Sequence, residues 1–288
     1  MAHSGWTFTA DRLRYAETVL DFLRADPVGN TVALGAAVRL HLDESTASPE
    51  ECFGWWTDES GAIRAAFSAQ PPRAVALSAG VPEQAAQELA AAWLETGRPL
   101  PTGVFGRIET AEAIAADFAG RAGVGYRLRP KHAMRLFAFR EPNPPDPAPR
   151  GEARPATLEE LDLLTRWDVA FHEDCGIPGV EDRTAGVRAR IREGRAIVWV
   201  VDGVPVATAT YLTVVAGTSR ITAVYTPPEH RRHGYAAAVT WAVTHAAAEA
   251  GAAEVLLHTD LSNPTSNGVY GRLGYRPIHD VSEFEFTG

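Results

Sequence analysis

The 288-residue sequence contains no apolar run that approaches the ~20 residues a membrane-spanning helix needs. The N-terminus also lacks the basic start and apolar core of a secretory signal, so the sequence predicts a cytoplasmic protein. Positive charge is scarce, because 27 basic residues face 36 acidic ones and leave a formal net charge of −9. This deficit argues against a nucleic acid partner and favours cationic or neutral substrates, while the lack of a long apolar run predicts no membrane partner.

Cysteine is nearly absent as well. Cys52 and Cys175 are far apart and have no metal-ligand spacing, so neither a disulfide framework nor a zinc site is predicted. The sequence also lacks a Gly-x-Ser-x-Gly turn, which disfavours Ser-His-Asp hydrolysis, and it shows no metal-ligand cluster. We therefore expect reduced thiols and chemistry without a metal.

Proline is concentrated in one stretch. EPNPPDPAPRGEARP, over 141–155, holds six prolines and no apolar residue larger than alanine, which is typical of a stiff linker. With roughly 150 residues as the usual size of a domain, the sequence predicts an N-terminal domain at 1–141, a linker at 142–155 and a C-terminal domain at 156–288.

The passage from Ile221 to Gly251 has the pattern of a strand, a loop and a helix. Ile221–Tyr225 are β-branched or aromatic around one alanine, and Thr226-Pro227-Pro228 ends this strand because proline cannot donate to a ladder. From Gly234 onward the sequence is alanine-rich with apolar residues at helical spacing. A helix of about four turns is predicted after the loop.

The loop itself, Arg231 to Ala236, has the features of an anion site. Gly234 has no side chain and Ala236 only a methyl, so several backbone N–H groups are left open at the positive end of the helix dipole. Arg231, Arg232 and His233 add positive charge beside them. A pyrophosphate fits this set better than a single carboxylate.

A second motif lies downstream, in VLLHTDLSNPTSNGVYGRLGYRPI. It predicts a strand at Glu254–Thr259, then Asn263, then a short helix through Tyr270. SNPTSN is also a helix-capping pattern, and one residue can both cap a helix and contact a ligand.

Together, Arg-x-x-Gly-x-Ala and the downstream motif resemble the acyl-CoA site of the GNAT N-acetyltransferase superfamily, in the family's order and at roughly its spacing. The resemblance implies an α/β (α+β) fold with a mixed, mostly antiparallel sheet flanked by helices. It also implies acetyl-CoA as the acyl donor, with no metal. In this family the strand before the loop splays from its neighbour, and the pantetheine chain bonds to the end of that strand.

By this resemblance, the residues expected to bind acetyl-CoA are Val224, Tyr225, Thr226, Arg231, Arg232, His233, Gly234, Tyr235, Ala236, Asn263, Ser266 and Asn267. Tyr270 is the candidate general acid, because a phenol with a pKa near 10 is protonated at pH 7 and comparable to an alkyl thiol. The alternative for Tyr270 is a core aromatic packed beneath Leu273.

The C-terminal domain begins with a predicted capping box, Thr157 and Glu160, and a helix to about His172. A loop and a second helix, Glu181–Arg192, follow, and Asp202-Gly203 predicts a hairpin. In GNAT folds the helix-loop-helix borders the acceptor pocket, which places His172, Glu173 and Asp174 at its mouth. The alternative is a solvated helix end.

The base that frees the amine is left open among Glu173, Asp174, Glu229, His258 and a water chain, and Glu173 is the residue we name. The acceptor is predicted to be a small-molecule or amino-acid-like amine, and the protein a monomer or homodimer. Alternatives are a protein-lysine acetyltransferase, an acyl-CoA sensor without turnover, and a GNAT scaffold for another acyl-CoA reaction such as decarboxylation.

The first half repeats the series strand, helix, strand, helix, strand, so we interpret it as a decayed copy of the same fold and the chain as two tandem GNAT-like domains. Its loop, Ala79-Gly80-Val81-Pro82, lacks the arginine and the second small residue, so this half is not expected to bind CoA in the usual manner. It either has a structural role or helps to hold the acceptor, with Trp55 and Trp56 as candidates.

Within that half the predicted elements are a helix over Asp11–Arg24, an undecided segment at Thr31–Leu42, a meander of two or three strands after Cys52, helices over Pro82–Glu95 and Glu109–Ala122, and a long strand ending at Arg140.

Overall fold

The computed structural model describes residues 4–42, 48–176 and 182–288. The chain divides into two compact units: Met1–Met134 with His279–Gly288, called unit 1, and Arg135–Ile278, called unit 2. The sequence analysis placed its division at 142–155 instead. Among the described residues, no helix is both long enough and apolar enough to cross a membrane.

Unit 1 alternates strands and helices. Its elements are β1 (Gly5–Thr9), α1 (Arg12–Arg24), α2 (Thr31–Leu42), β2 (Cys52–Thr57), β3 (Ile63–Ala69), β4 (Val75–Leu77), α3 (Glu83–Glu95), β5 (Gly103–Arg107), α4 (Ile108–Ala122) and most of β6 (Gly125–Phe139). The predicted helices and the meander are confirmed, and the undecided segment is the helix α2.

The sheet of unit 1 is completed by the last strand of the chain, β12 (Tyr275–Thr287). Strands β1 to β4 pair antiparallel in sequence, β4 pairs parallel with β5, and β5 pairs antiparallel with β12. Phe284 of β12 joins a core formed by Phe67, Trp93 and Phe118. The sequence analysis assigned this final segment to the other domain.

Trp55 and Trp56 both lie in the interior of unit 1, with exposed fractions of 8% and 3%. The indole of Trp56 donates to Glu88 at 2.8 Å, and the guanidinium of Arg14 lies 5.7 Å from the ring of Trp55. Neither ring offers the open face that an acceptor platform needs, so both are structural in this unit.

Unit 2 has the same order of elements as unit 1. They are β7 (Glu152–Pro155), α5 (Leu161–Cys175), α6 (Thr184–Arg192), β8 (Ala196–Val201), β9 (Val204–Tyr211), β10 (Thr218–Tyr225), α7 (Tyr235–Glu249), β11 (Glu254–Asp260), α8 (Pro264–Leu273) and the start of β12. The order of strands is β6-β11-β10-β9-β8-β7. The pair β10–β11 is parallel, whereas β9–β10, β8–β9 and β7–β8 are antiparallel. The predicted mixed, mostly antiparallel sheet with flanking helices is confirmed.

Strand β7 lies within the predicted linker and pairs antiparallel with β8. It is an edge strand, and a proline at the end of an edge strand removes no ladder bond that the sheet depends on. A proline-rich composition alone therefore did not distinguish a linker from an edge strand.

Local signals positioned several elements as expected. Thr157 and Glu160 form the capping box, although its first turn is a 3₁₀ turn before α5 begins. Asp202 and Gly203 both have positive φ, 49° and 81°, as a type I′ hairpin turn requires. The helix α6 begins at Thr184, and the predicted start at Glu181 lies outside the described residues.

The core of unit 2 is built on α7. Val239, Val243 and Ala247 recur on one face of this helix and pack with Leu257 of β11 and Tyr275. This packing fixes the start of α7 next to the ends of β10 and β11, which is where the candidate site lies.

Candidate active site

The end of β10 parts from both of its neighbours. Its parallel pairing with β11 covers only Thr218 to Ile221, so the last four residues of β10 extend beyond that ladder. On the other side, Thr222 pairs with Thr210 and Tyr225 with Thr208, which leaves two residues opposite one. This is a β-bulge at Ala223 and Val224, and Ala223 has φ of 51°.

The bulge frees backbone groups at the place where the sequence analysis expected pantetheine to bind. Ala223 is buried, whereas Val224, Tyr225 and Thr226 are half-buried. The hydroxyl of Thr226 is buried and, within the described part of the chain, has no hydrogen-bond partner. The strand end therefore combines main-chain groups outside the regular ladder with a buried hydroxyl that has no partner in the described residues.

The loop after β10 delivers the chain to an open helix start. Gly234 is the N-cap of α7 with φ of 82°, a conformation that favours glycine, and among the described residues no side chain caps this helix. The Ala238 N–H donates to the Gly234 carbonyl at 3.1 Å, which is the first main-chain bond of the helix. The N–H groups of the first turn, including those of Tyr235 and Ala236, are therefore available to an anion.

Arg231 is held by the protein itself. Its Nε donates to the Thr226 carbonyl at 2.9 Å, and one terminal nitrogen lies 3.1 Å from a carboxylate oxygen of Asp174. Its guanidinium carbon also lies 5.9 Å from the centre of the Tyr225 ring. The side chain thus ties the loop to the end of α5, an engagement that the sequence motif did not predict.

Arg232 and His233 are exposed beside the helix start. Arg232 has φ of 67°, and the His233 ring stacks on Tyr235 with centroids 5.5 Å apart. Both side chains lie on the loop that precedes the open N–H groups, as the anion-site interpretation requires.

The start of α8 uses the three polar residues of the second motif for its own structure. Asn263 caps the helix by accepting the Ser266 N–H at 3.0 Å. The Asn267 amide nitrogen donates to the carbonyls of Asp260 and Asn263 at 3.0 and 2.8 Å. Its Oδ1 is buried and has no partner among the described residues. The capping role that the sequence left open is therefore present in the structure.

Tyr270 lies on α8 against the core of unit 2. Its ring is 6.0 Å from that of Tyr275, whose hydroxyl is 2.5 Å from the Thr244 hydroxyl. Burial, with a smaller effect from Cys175, raises the pKa of Tyr270 to about 12. The phenol is therefore protonated at neutral pH, and it is a weaker acid than the value near 10 used in the sequence analysis.

The last turn of α5 lies near this tyrosine and the loop. Glu173 and Asp174 are exposed, and Cys175 is half-buried and close enough to influence the pKa of Tyr270. On this helix Val169 is 36% exposed, whereas Asp168 is buried at 5%. The sequence analysis missed Asp168, although a charged residue directly after Trp167 in an amphipathic pattern was a usable signal.

The other candidate bases differ in their surroundings. Glu229 is exposed in the 3₁₀ turn Pro228–His230. His258 lies on β11, where its side chain already interacts with another group of the protein. No group of His, Cys, Asp and Glu among the described residues could hold a metal ion.

The corresponding loop of unit 1 has a different arrangement. There the Ala79 N–H is already bonded to the Asn30 side chain at 2.7 Å, and Pro82, which has no N–H, is the N-cap of α3. Both features reduce the number of backbone N–H groups that are left for an anion at the start of α3.

Unit 2 thus places the parted end of β10 next to the loop that leads into the start of α7. Residues 161–275 match the model of the acetyltransferase (GNAT) family, and this part of the chain is a GNAT domain. The chain therefore contains a GNAT acetyltransferase domain, and the acyl donor of this family is acetyl-CoA. No curated protein matches the chain.

Solved structures share the fold over nearly the whole chain. A GCN5-related N-acetyltransferase from Sphaerobacter thermophilus is 18% identical with a TM-score of 0.65, covering 98% of this chain and 95% of that one. A GNAT-family acetyltransferase from Colwellia psychrerythraea is 13% identical with a TM-score of 0.63, covering 98% and 99%. A tandem GNAT protein from the clavulanic acid biosynthesis pathway is 14% identical with a TM-score of 0.56, covering 98% of each chain.

Proposed function

We propose that the protein transfers the acetyl group of acetyl-CoA to the amine of a small, amino-acid-like acceptor by direct attack. The observation that carries this proposal is the separation of β10 from β11 after Ile221, immediately before the loop that opens α7. A cleft in the sheet and an uncapped helix start thus adjoin each other. They match the two polar parts of acetyl-CoA, an amide-bearing chain and a pyrophosphate.

The helix start would hold the pyrophosphate. The N–H groups of Tyr235 and Ala236 supply donors, and the positive end of the α7 dipole favours the negative charge. Arg232 and His233 are exposed beside them. Arg231 acts here mainly by holding the loop through Thr226 and Asp174.

The freed end of β10 would hold the amide-bearing chain and the thioester. Main-chain groups of Val224 and Tyr225 would bond this chain, and a strand-end N–H would polarise the acyl carbonyl. On α8, the Oδ1 of Asn267, which has no partner among the described residues, would supply one more acceptor. Asn263 and Ser266 would act mainly by fixing the start of that helix.

Tyr270 is proposed to give a proton to the departing thiolate. Its pKa of about 12 keeps the phenol protonated, and the same burial that raises this pKa also disfavours a thiolate leaving into the pocket. Burial therefore raises the pKa of both the phenol and the leaving thiol. The difference between the two pKa values, which sets the cost of the proton transfer, is smaller than the raised phenol pKa alone suggests. Glu173, exposed at the end of α5, is the proposed base for the amine.

The test is a turnover screen. Purified protein with acetyl-CoA is offered amino acids, their derivatives, simple amines and a lysine-containing peptide, while free thiol and acetylated product are both measured. The proposal expects thiol release together with an acetylated small amine. Acetylation of the peptide alone, or thiol release without any acetylated amine, would contradict it.

A further inference from the structure

A cluster of charged side chains in unit 2 joins α5 to α6. Asp168 is 5% exposed, and its carboxylate accepts from Arg183 Nε and, at 2.8 Å, from a terminal nitrogen of Arg190. One turn further along α5, the His172 Nδ1 lies 2.6 Å from the Asp168 carbonyl and 3.8 Å from its carboxylate. Four ionisable side chains thus meet within a mostly buried volume.

The cluster has more positive charge than negative. Burial, aided by Arg183 and Arg190, lowers the pKa of His172, so this ring is neutral at pH 7. Two guanidinium groups then face one carboxylate. Burial lowers the pKa of Arg190 and Arg195 lowers it further, but the guanidinium of Arg195 is itself paired with Glu193 at 2.6 Å, so it adds no unpaired positive charge. An excess of one buried cation is costly unless an anion joins it.

The cluster also has more donors than acceptors. A guanidinium carries five N–H groups, yet within the described ranges only one nitrogen of each arginine reaches an acceptor. Arg190 Nε is buried and has no partner there. The side chains of Arg183 and Arg190 keep 16% and 14% of their surface exposed, so a narrow face of the pair remains reachable.

Helix α5 connects this cluster to the proposed acyl site. Trp167, adjacent to Asp168, has its ring 6.2 Å from the ring of Tyr225 at the end of β10. Further along the same helix, Asp174 contacts Arg231 of the loop. Helix α6 packs against the same core through Val187 and Ile191, so the arginines are fixed relative to the strand end.

We propose that Arg183 and Arg190 bind a carboxylate of the acceptor, so that the substrate class is an amine that also carries a carboxylate. This inference rests on the proposed function and names its substrate more closely. Planar guanidinium groups bind carboxylates through paired hydrogen bonds, which supplies orientation as well as charge. Such an acceptor is a zwitterion, so the net charge of −9 does not oppose its approach.

The first experiment compares matched acceptors. Each amino acid is offered beside its amide and its decarboxylated amine, with acetyl-CoA saturating and thiol release measured. The wild type is expected to use the carboxylate member with a kcat/KM at least about tenfold higher. Arg190→Gln is expected to raise KM for that member about tenfold or more, with little change in kcat and little change for the amine.

The control is Arg192→Gln, which removes an exposed arginine from the same helix and is expected to keep the preference. Arg183→Gln gives a second variant if Arg190→Gln does not fold. If the cluster only ties α5 to α6, both variants lower the unfolding midpoint and affect every acceptor alike. That result would overturn the proposal.

A binding measurement separates this inference from the proposed reaction. N-acetyl amino acids and the corresponding amides are titrated by calorimetry into wild type, Arg190→Gln and Arg192→Gln without acetyl-CoA. Preferential binding of carboxylates to wild type and Arg192→Gln supports the site even if no acetyl transfer is found. Equal binding of carboxylates and amides, or no binding of either, would overturn it even if acetyl transfer to other amines is found.

Discussion

Tyr270 shows how burial sets the role that a single side chain can have. Its pKa of about 12 places ionisation well above neutral pH, so the hydroxyl retains its proton where the enzyme works. A protonated phenol packed against the core of unit 2 can act as an acid, and the same position can be filled sterically by phenylalanine.

For Tyr270 we predict that Tyr270→Phe lowers kcat about 10²- to 10⁴-fold, because proton donation to the leaving group is lost. Since the pKa is raised, wild-type kcat is expected to show no alkaline decline due to Tyr270 between pH 7 and 10. The measurement is kcat against pH for both proteins. A decline near pH 8.5 that is present in wild type and absent in the variant would contradict the assignment.

His279, at the start of the segment that joins unit 1, gives a prediction about stability. Burial, assisted by Arg107, lowers its pKa to about 4, and its Nδ1 is buried without a partner in the described part of the chain. The unfolded chain binds a proton near pH 6.5 and the folded chain only near pH 4, so stability falls as pH drops across that window. When the pH is lowered from 7.5 to 5, the unfolding midpoint of His279→Gln should therefore fall less than that of wild type. An identical fall in both proteins would contradict this prediction.

At the scale of elements, the bulge in β10 is what shapes the candidate site. It turns Ala223 to φ of 51° and releases Val224 from the ladder with β9. A residue with a β-branched side chain is strongly disfavoured in that conformation, whereas glycine adopts it readily.

We therefore predict that Ala223→Val lowers stability by about 1–3 kcal/mol and weakens acetyl-CoA binding, because backbone strain works against the bulge. Ala223→Gly is the matched control and should keep both the unfolding midpoint and the binding. Urea unfolding and calorimetric titration of the two variants are the measurements. Equal effects of valine and glycine would show that the bulge does not depend on this φ.

Elements were predictable from sequence where their signals are local. Asp11 and Asn263 mark helix starts through their caps, and Asp202-Gly203 marks a hairpin through its required φ angles. The bulge was not predictable, because Ala223 differs in no local way from other strand residues. The Arg231–Asp174 contact joins residues 57 apart in sequence and depends on the packing of α5. The resemblance pointed to the loop after β10 as an anion site, but it did not reveal that Arg231 bonds to Thr226 and Asp174.

At the scale of the whole molecule, the long strand β12 makes unit 1 discontinuous in sequence, because its second half belongs to that unit. Phe137 of β6 lies in the core of unit 2, and Phe284 of β12 lies in the core of unit 1. No local pattern in either strand specifies its partner, because β12 pairs with a strand about 180 residues earlier. A boundary placed at the proline-rich stretch therefore separates Phe137 from its core.

This arrangement predicts how fragments behave. A fragment of 135–278 retains β6 residues of its own core, whereas 156–288 lacks Phe137 and β7 and exposes Phe284. We expect the fragment 135–278 to unfold at the higher temperature, because loss of a buried Phe costs about 3–5 kcal/mol. Thermal unfolding monitored by circular dichroism is the measurement. A higher midpoint for 156–288 would favour the division at the proline-rich stretch.

The central claim is that acetyl-CoA binds at the start of α7, and thermal unfolding of the full chain with and without saturating acetyl-CoA tests it most directly. A ligand at about a hundred times its Kd stabilises by roughly 2.7 kcal/mol, which raises the midpoint of a chain this size by several degrees. Gly234→Glu puts a carboxylate and a strained backbone at the open N–H groups, while Arg192→Gln leaves them intact. The account predicts a shift in wild type and Arg192→Gln that is lost in Gly234→Glu; no shift in wild type, or an equal shift in all three, would contradict it.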